Sequence, residues 1–310
     1  GRYIRERIES IMGQSHTEIE LVVIDDRSPD NSNDVILGLQ AEHDFTYIQN
    51  VRNSGTPFSA WEAICEIATG DYIWICESDD VAEPEFLETA IDGFKEHPDA
   101  VMFYSNSHII DEEGKIIDHT NSYFHDIWKE TRWDTDFVAD GVNELVQYQL
   151  RGQTVPNMSS ALFTTTAFKK SFSPFIKRFE LTGDWLFVGE IMKCGKVIFN
   201  HQTLNNFRKH EVTSRVRVKS ARSQAEFIHT KYRLFRGTDQ SASKLPILLS
   251  SDVIRFLYEP ATWFSVIQAA LQISFFETLK LGASLAVSTC KNRRLVTQYI
   301  ERYKHAKGGL

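Results

Sequence analysis

Two short polar runs hold residue types that could do chemistry: Asp25-Asp26-Arg27-Ser28 and Glu77-Ser78-Asp79-Asp80. Each begins where an apolar run stops, Ile19 to Ile24 in one case and Tyr72 to Cys76 in the other. Carboxylates crowded together repel one another unless a cation or hydrogen-bond donors compensate, and hard oxygens are what Mg²⁺ or Mn²⁺ prefers. Either run alone is explained as well by a helix cap or by turn hydrogen bonds. Together they point to a site for a divalent cation and a diphosphate. Farther along, Asp184 opens a helical stretch, where the helix dipole alone favours a carboxylate by about 0.3–1 kcal/mol, so capping competes with catalysis as its role. Arg208 and His210 share a face of an extended stretch because strand side chains repeat every two residues. Trp74 and Trp185, beside the acidic motifs, either stack on a base or sugar or pack in the core, and core packing is the reading kept for them.

The elements that must position these residues are legible in the first hundred positions. Ile4, Ile8, Ile11 and Met12 fall at helical spacing and predict a helix over 2–14. The nearly continuous apolar run 19–24 predicts a buried strand. A helix near 32–42, a strand at 45–49, a loop at 53–57, a helix at 58–68 and a strand at 72–76 follow, so the two acidic runs are expected at strand ends of one sheet. Pro84 sits at a first-turn position of a helix ending near 96. A strand at 100–105 and a hairpin across 109–117 come next, while 120–150 is aromatic, polar and unassigned. A strand at 160–165, a helix from Asp184 to Lys193, a strand at 196–200 and helices from about 220 complete the pattern. Strands alternating with helices predict an α/β fold, a Rossmann-like, mainly parallel sheet with flanking helices, plus a helical C-terminal segment. Ligands of such sheets bind beyond the carboxyl ends of the strands, where both acidic runs fall.

Composition narrows the class. The chain has 310 residues, 42% hydrophobic, 12% aromatic and 25% charged, which is enough for a sizeable core and too apolar for disorder. Its four cysteines are far apart with no CxxC pair, which argues for a reducing compartment rather than a disulfide framework or zinc knuckle. The first ten residues lack the apolar stretch of a signal peptide, and no uncharged apolar run reaches eighteen residues. The net charge of −8 hides a division: residues 1–150 carry 32 acidic and 9 basic side chains, and residues 151–310 carry 10 and 25. An acidic half suits divalent cations and a basic half suits phosphates or an anionic surface, although two solvated faces would give the same sums. No nucleic-acid-binding motif interleaves the Lys and Arg, so no nucleic-acid partner is expected.

The order of these pieces across 1–215 resembles family 2 glycosyltransferases of the GT-A fold. The matching segments are Glu9-Ser10-Ile11-Met12-Gly13-Gln14, Glu20 through Asp25-Asp26-Arg27-Ser28, Asn53-x-Gly55, Thr69-Gly70-Asp71-Tyr72-Ile73-Trp74-Ile75, Glu77-Ser78-Asp79-Asp80 with Pro84, Thr182-Gly183-Asp184-Trp185, and Phe207-Arg208-Lys209-His210 with Ser214. The resemblance implies a transferase domain over 1–215 and a helical extension over 216–310. It implies an enzyme moving a sugar, with inversion, from a nucleotide-diphosphate sugar to a saccharide or lipid-linked saccharide acceptor in cell-surface polysaccharide or glycan synthesis of the bacterial type. Asp25 or Asp26 then lies by the nucleobase or ribose, with Asn53 near the base loop and Ser78 and Arg208 at the nucleotide-sugar. Asp79 matches the metal-ligating carboxylate of the family's Asp-x-Asp motif, Glu77 stands where its first Asp is usual, and His210 is a metal or phosphate contact. Asp184 matches the catalytic base, preceded by Gly183 where an acidic residue is frequent. The cofactor implied is Mn²⁺ or Mg²⁺.

The chain starts inside what would be the loop after the family's first strand, so that strand is expected to be missing and a fragment of a longer protein is the expectation. Two other functions stay open: a degenerate domain that binds nucleotide or saccharide without turnover, and another metal-dependent nucleotide-diphosphate enzyme such as a nucleotidyltransferase. The latter normally needs a Gly-rich basic loop that this chain does not show. For the C-terminal segment, its basic charge and the apolar stretch from Trp263 to Phe276 predict either peripheral docking at the cytoplasmic membrane face or packing against the catalytic domain. The location implied is cytoplasmic, at the inner face of the membrane in the docking case.

Overall fold

The computed structural model describes residues 1–210, 220–238, 260–291, and Arg294, Thr297 and Gln298. Ser214 and the 215/216 boundary lie outside these residues. Helix α1 (Ile4–Met12) buries Ile8 and Ile11, as its spacing predicts. Strand β1 (Val22–Asp25) pairs in parallel with β2 (Thr46–Gln49), placing Asp25 opposite Gln49. Helix α2 (Ser32–Gln40) connects them and packs Ile36 and Leu39 with Ile8 and Phe45.

Helix α3 (Phe58–Ile67) leads into a second sheet built from β3 (Tyr72–Trp74), β4 (Val81–Ala82), β5 (Ala100–Ile110), β6 (Ile116–His119), β7 (Phe137–Asp140), β8 (Ala161–Thr164) and β9 (Lys196–Arg208). The strand order is β3-β8-β5-β9-β4, with β6 added to β5 and β7 to β9. Helices α4 (Phe86–Glu96), α5 (Thr120–Trp128), α6 (Gly141–Glu144), α7 (Thr165–Ser171) and α8 (Gly183–Met192) flank it. Helices α9 (Ser220–Arg236), α10 (Pro260–Ile273) and α11 (Phe275–Lys291) follow.

The α/β class with flanking and C-terminal helices is as expected, with two corrections inside it. The large sheet is mixed: β5 and β9 run parallel, whereas β3/β8, β5/β8, β7/β9 and β4/β9 are antiparallel. Strand–helix alternation ends near residue 100, and strands reached through irregular loops can enter in either direction. The second correction is that β1 and β3 belong to different sheets. Side chains bridge the segments around them, with Glu20 Oε2 accepting from Thr69 N at 3.2 Å and Thr69 Oγ1 at 2.7 Å.

The unassigned aromatic stretch is core. Phe124, Trp128 and Trp133 are buried, with Trp133 stacked on Phe124 (centroids 4.7 Å apart) and donating its indole N–H to the Tyr104 hydroxyl at 3.0 Å. Helix α8 is buried on nearly every side, from Trp185 through Met192, which marks an internal helix. Helix α9 lies directly on it: a Cβ at Gly189 would come within 2.5 Å of the Leu234 side chain, so only glycine permits this approach. No helix among the described residues is long and apolar enough to cross a membrane.

Candidate functional site

The chain leaves β3 at Trp74 and turns at Ser78-Asp79 before β4. Trp74 is held in the core side of this exit, stacked on Phe86 at 4.7 Å and donating Nε1–H to Ser159 O at 2.8 Å, which settles it as packing. Because β4 pairs with Asn205 and Asn206 of β9, the acidic turn lies against the end of β9, where Arg208 is the last strand residue and His210 follows just beyond it.

Arg208 is buried and committed to the protein. Its backbone N–H donates to Asp80 Oδ1 at 3.0 Å and its Nε to Asp79 O at 2.8 Å. Its terminal nitrogens reach Asp111 O at 3.1 Å and Glu6 Oε2 at 2.8 Å, and the guanidinium lies 4.4 Å above the Tyr3 ring. The guanidinium thereby ties the acidic turn to the β5–β6 hairpin and to α1. The imidazole Nε2 of His210 lies 2.8 Å from Asp79 Oδ2, and its ring sits 5.4 Å from that of Tyr3.

Behind the turn, Asn157 spans two carboxylates: its Nδ2 donates to Glu77 Oε2 and to Asp80 Oδ2, both at 2.8 Å, while its Oδ1 accepts from Asn205 at 2.9 Å. Glu77 N donates to Ser159 Oγ at 3.0 Å. Glu77 is exposed to solvent on one side; desolvation where its carboxylate meets Asn157, then Asp80, Asp79 and Asp184, pushes its pKa up, and Arg7 pulls the other way. Burial and then Asp79 likewise raise Asp80. Asp79 in the turn and Asp184 on α8, more than a hundred positions apart in sequence, both raise this one carboxyl. Ser78 is exposed in the same turn.

Asp184 sits in the first turn of α8. Trp185 beside it is anchored in the core by paired hydrogen bonds, Nε1 to Gln149 O at 2.6 Å and Gln149 Nε2 to Trp185 O at 3.1 Å. Gly183 has a packing reason: a Cβ there would collide with the Phe58 ring of α3 and approach Ile176 at 3.0 Å. Gly183→Ala is expected to cost about 1–3 kcal/mol by overpacking, measured as the shift in the urea midpoint, and adding Phe58→Leu should recover most of it.

Asp25, Asp26 and Asn53 form a second group at the end of β1. Asp25 Oδ1 accepts from Ser28 N at 2.9 Å, made possible by the left-handed φ of 63° at Arg27, and Oδ2 accepts from Gln49 at 2.9 Å. Asp26 accepts from Asn50 at 2.6 Å and from Ser54 N and Oγ at 3.0 and 2.7 Å. Burial raises both acids, but these donors outweigh it and hold both below the usual carboxylate range. Asn53 donates to Asp26 O at 2.8 Å and closes its own turn onto Gly55 N.

Among the described residues no three His, Cys, Asp or Glu side chains converge as a metal cage. One or two carboxylates plus substrate phosphates is the usual arrangement for Mg²⁺, and the Asp79 carboxylate, its Oδ2 2.8 Å from His210 Nε2, fits that smaller set. Sequence reasoning did not single out Asn157, Ser159, Glu6 or Tyr3. The polar residues Asn157, Ser159 and Ser160 abutting an apolar strand are an available signal, whereas nothing marks Glu6 on an amphipathic helix.

Residues 1–145 match the family model described as glycosyl transferase family 2. An uncharacterized glycosyltransferase of Nostoc sp. is 34% identical over 124 residues, covering 39% of this chain and 37% of that protein. The chain therefore matches little more than a third of the length of this curated relative. By structure it is similar to Staphylococcus aureus TarS 1–349 in complex with UDP-GlcNAc (TM-score 0.64, 17% identity, 98% of this chain and 88% of that one). It is also similar to the mannosyltransferase PcManGT of Pyrobaculum calidifontis in complex with GDP-Man and Mn²⁺ (TM-score 0.55, 14% identity, 97% and 80% covered).

Proposed function

From the match of residues 1–145 to the glycosyl transferase family 2 model and the likeness of the fold to TarS, we propose that the protein is a family 2 glycosyltransferase of GT-A type that transfers a sugar from a nucleotide-diphosphate sugar to an acceptor hydroxyl with inversion. What supports this reading is the family 2 match together with the acidic turn, where Asp79 Oδ2 lies 2.8 Å from His210 Nε2 and where Asp184, as well as Asp80 and Asp79, raises the Glu77 carboxyl. Asp184 takes the acceptor hydroxyl's proton as the glycosidic C–O bond breaks, and attack from the face opposite the leaving group inverts the anomeric carbon.

Asp79 and His210 would hold a divalent cation, Mn²⁺ or Mg²⁺, with Glu77 behind them. When bound, such an ion acts as a Lewis acid that offsets charge building on the diphosphate. Arg208 has its guanidinium spent on Asp79 O, Glu6 and the hairpin, so its part is to hold the acidic turn beside the donor. Asp25, Asp26, Asn53 and Ser78 line the nucleotide side, where Asp26 has its oxygens committed to Asn50 and Ser54 and Asp25 to Gln49 and Ser28. The domain reading keeps 1–215 as the transferase unit. A saccharide or lipid-linked saccharide acceptor, a cytoplasmic site of action and a role in surface polysaccharide synthesis belong to the same proposal. Phe264 and Phe276, 79% and 74% exposed on α10 and α11, support contact with a membrane surface.

The test is a thermal-shift screen of UDP- and GDP-sugars with and without Mn²⁺. One nucleotide-sugar should raise the melting temperature by several degrees in a metal-dependent way and be cleaved to its nucleoside diphosphate. Stabilisation without any cleavage would favour the binding domain instead.

A further inference from the structure

Helix α9 presents a stripe at four-residue spacing, Arg222, Glu226, Thr230 and Leu234, to the loop and helix that carry Asp184. Glu226 is fully buried. Its two carboxylate oxygens accept three successive backbone N–H groups: Glu180 N to Oε1 at 2.9 Å, Leu181 N to Oε2 at 2.8 Å and Thr182 N to Oε2 at 3.2 Å. Arg222 Nε donates to Oε1 at 2.8 Å and compensates the charge, and a terminal nitrogen of Arg222 donates to Arg178 O. One turn on, the Thr230 and Thr182 hydroxyls are 2.8 Å apart, and Leu234 closes onto Gly189 of α8. Thr182 stands at the N-cap position of α8 with its hydroxyl turned to Thr230 rather than to the helix, so its backbone angles set where the first turn, and Asp184 in it, points.

We propose that Glu226 is the positioning residue for Asp184. Helix α9, beyond the 1–215 unit, is then a working part of the active site: a buried carboxylate clamps the 180–182 turn by charge-assisted hydrogen bonds and fixes the aim of the base. This rests on the reading of Asp184 given above. Glu226→Gln is nearly isosteric but turns an NH₂ group toward amide donors, so it breaks part of the clamp without opening a cavity.

The first measurement is hydrogen exchange of the 180–184 amides in the full chain, which needs no substrate. Glu226→Gln should raise their exchange at least about tenfold while the β5 and β9 amides stay protected. Unchanged exchange at 180–184 overturns the proposal. The second is release of nucleoside diphosphate from the nucleotide-sugar that most stabilises the wild-type chain. The kcat of Glu226→Gln should fall about 10- to 100-fold, with donor KM within about twofold, because a displacement near 1 Å can cost that much. Glu226→Gln combined with Asp184→Asn should be no slower than Asp184→Asn alone, a non-additivity that a general loss of stability would not produce. Wild-type kcat in Glu226→Gln overturns the proposal alone. Wild-type kcat in Asp184→Asn overturns the reading it rests on. If Glu226→Gln does not fold, Thr230→Val, which removes only the hydroxyl contact to Thr182, carries the same exchange and kcat tests in the same direction.

Discussion

Asp184→Asn is expected to leave a folded chain that binds its nucleotide-sugar normally and turns it over at least about a hundred-fold more slowly. The substitution keeps shape and removes only the capacity to take a proton, and general-base catalysis contributes about 10²–10⁴-fold. Binding should persist because Asp25, Asp26 and Asn53 lie on the β1 side, hydrogen-bonded among Asn50, Ser54, Gln49 and Ser28 rather than to α8. Removing one carboxylate that pushes Glu77 up relieves repulsion, while the first turn of α8 loses a charge its dipole favours, so the melting temperature should stay close to wild type. Single-turnover kinetics and donor titration check both halves. Full turnover by this variant would return Asp184 to a helix-capping role.

Asp79→Asn should fail differently. Its carboxylate and the His210 imidazole are each partly open, with side chains 34% and 26% exposed, so the pair itself is worth at most about 1 kcal/mol and the metal-free chain should melt close to wild type. What disappears is coupling between cation and donor. Donor at about a hundred times its Kd stabilises a native chain by about 2.7 kcal/mol, and the Mn²⁺-dependent part of that should vanish from the thermal shift. Turnover should drop about a hundred-fold or more as the diphosphate loses its electrophilic partner. A variant that still responds to Mn²⁺ with donor present would move the cation away from Asp79.

Local patterns in the sequence were enough for α1, α3 and the strand-end acids, because apolar spacing and chain-breaking residues are properties of short windows. The pairing of strands was less visible. The run 19–24 and the run 72–76 look alike as buried strands, and nothing within either run says that one pairs with β2 and the other with β8. Strand β9 was expected to stop near 200 but continues to Arg208, because residues 205–206 gain β4 as a partner that no local window contains. At the site, Asp79, Asp184 and His210 could be singled out by type and position. Asn157 could not, since its importance lies in touching Glu77 and Asp80 across some eighty positions. Glu226 was hidden for the same reason, although its four-residue spacing with Arg222, Thr230 and Leu234 was on view.

The contact between Phe58 and Gly183 couples two distant positions into one inherited character. A descendant could acquire an acidic side chain at 183 only after position 58 had shrunk, since the reverse order passes through an overpacked intermediate. The order of those two changes also fixes the chemistry available afterwards: a second negative charge next to Asp184 would strengthen its hold on a proton and shift the acidity of acceptor it suits. Aromatic bulk on α3 thus restricts which acceptors later variants of this chain could come to use.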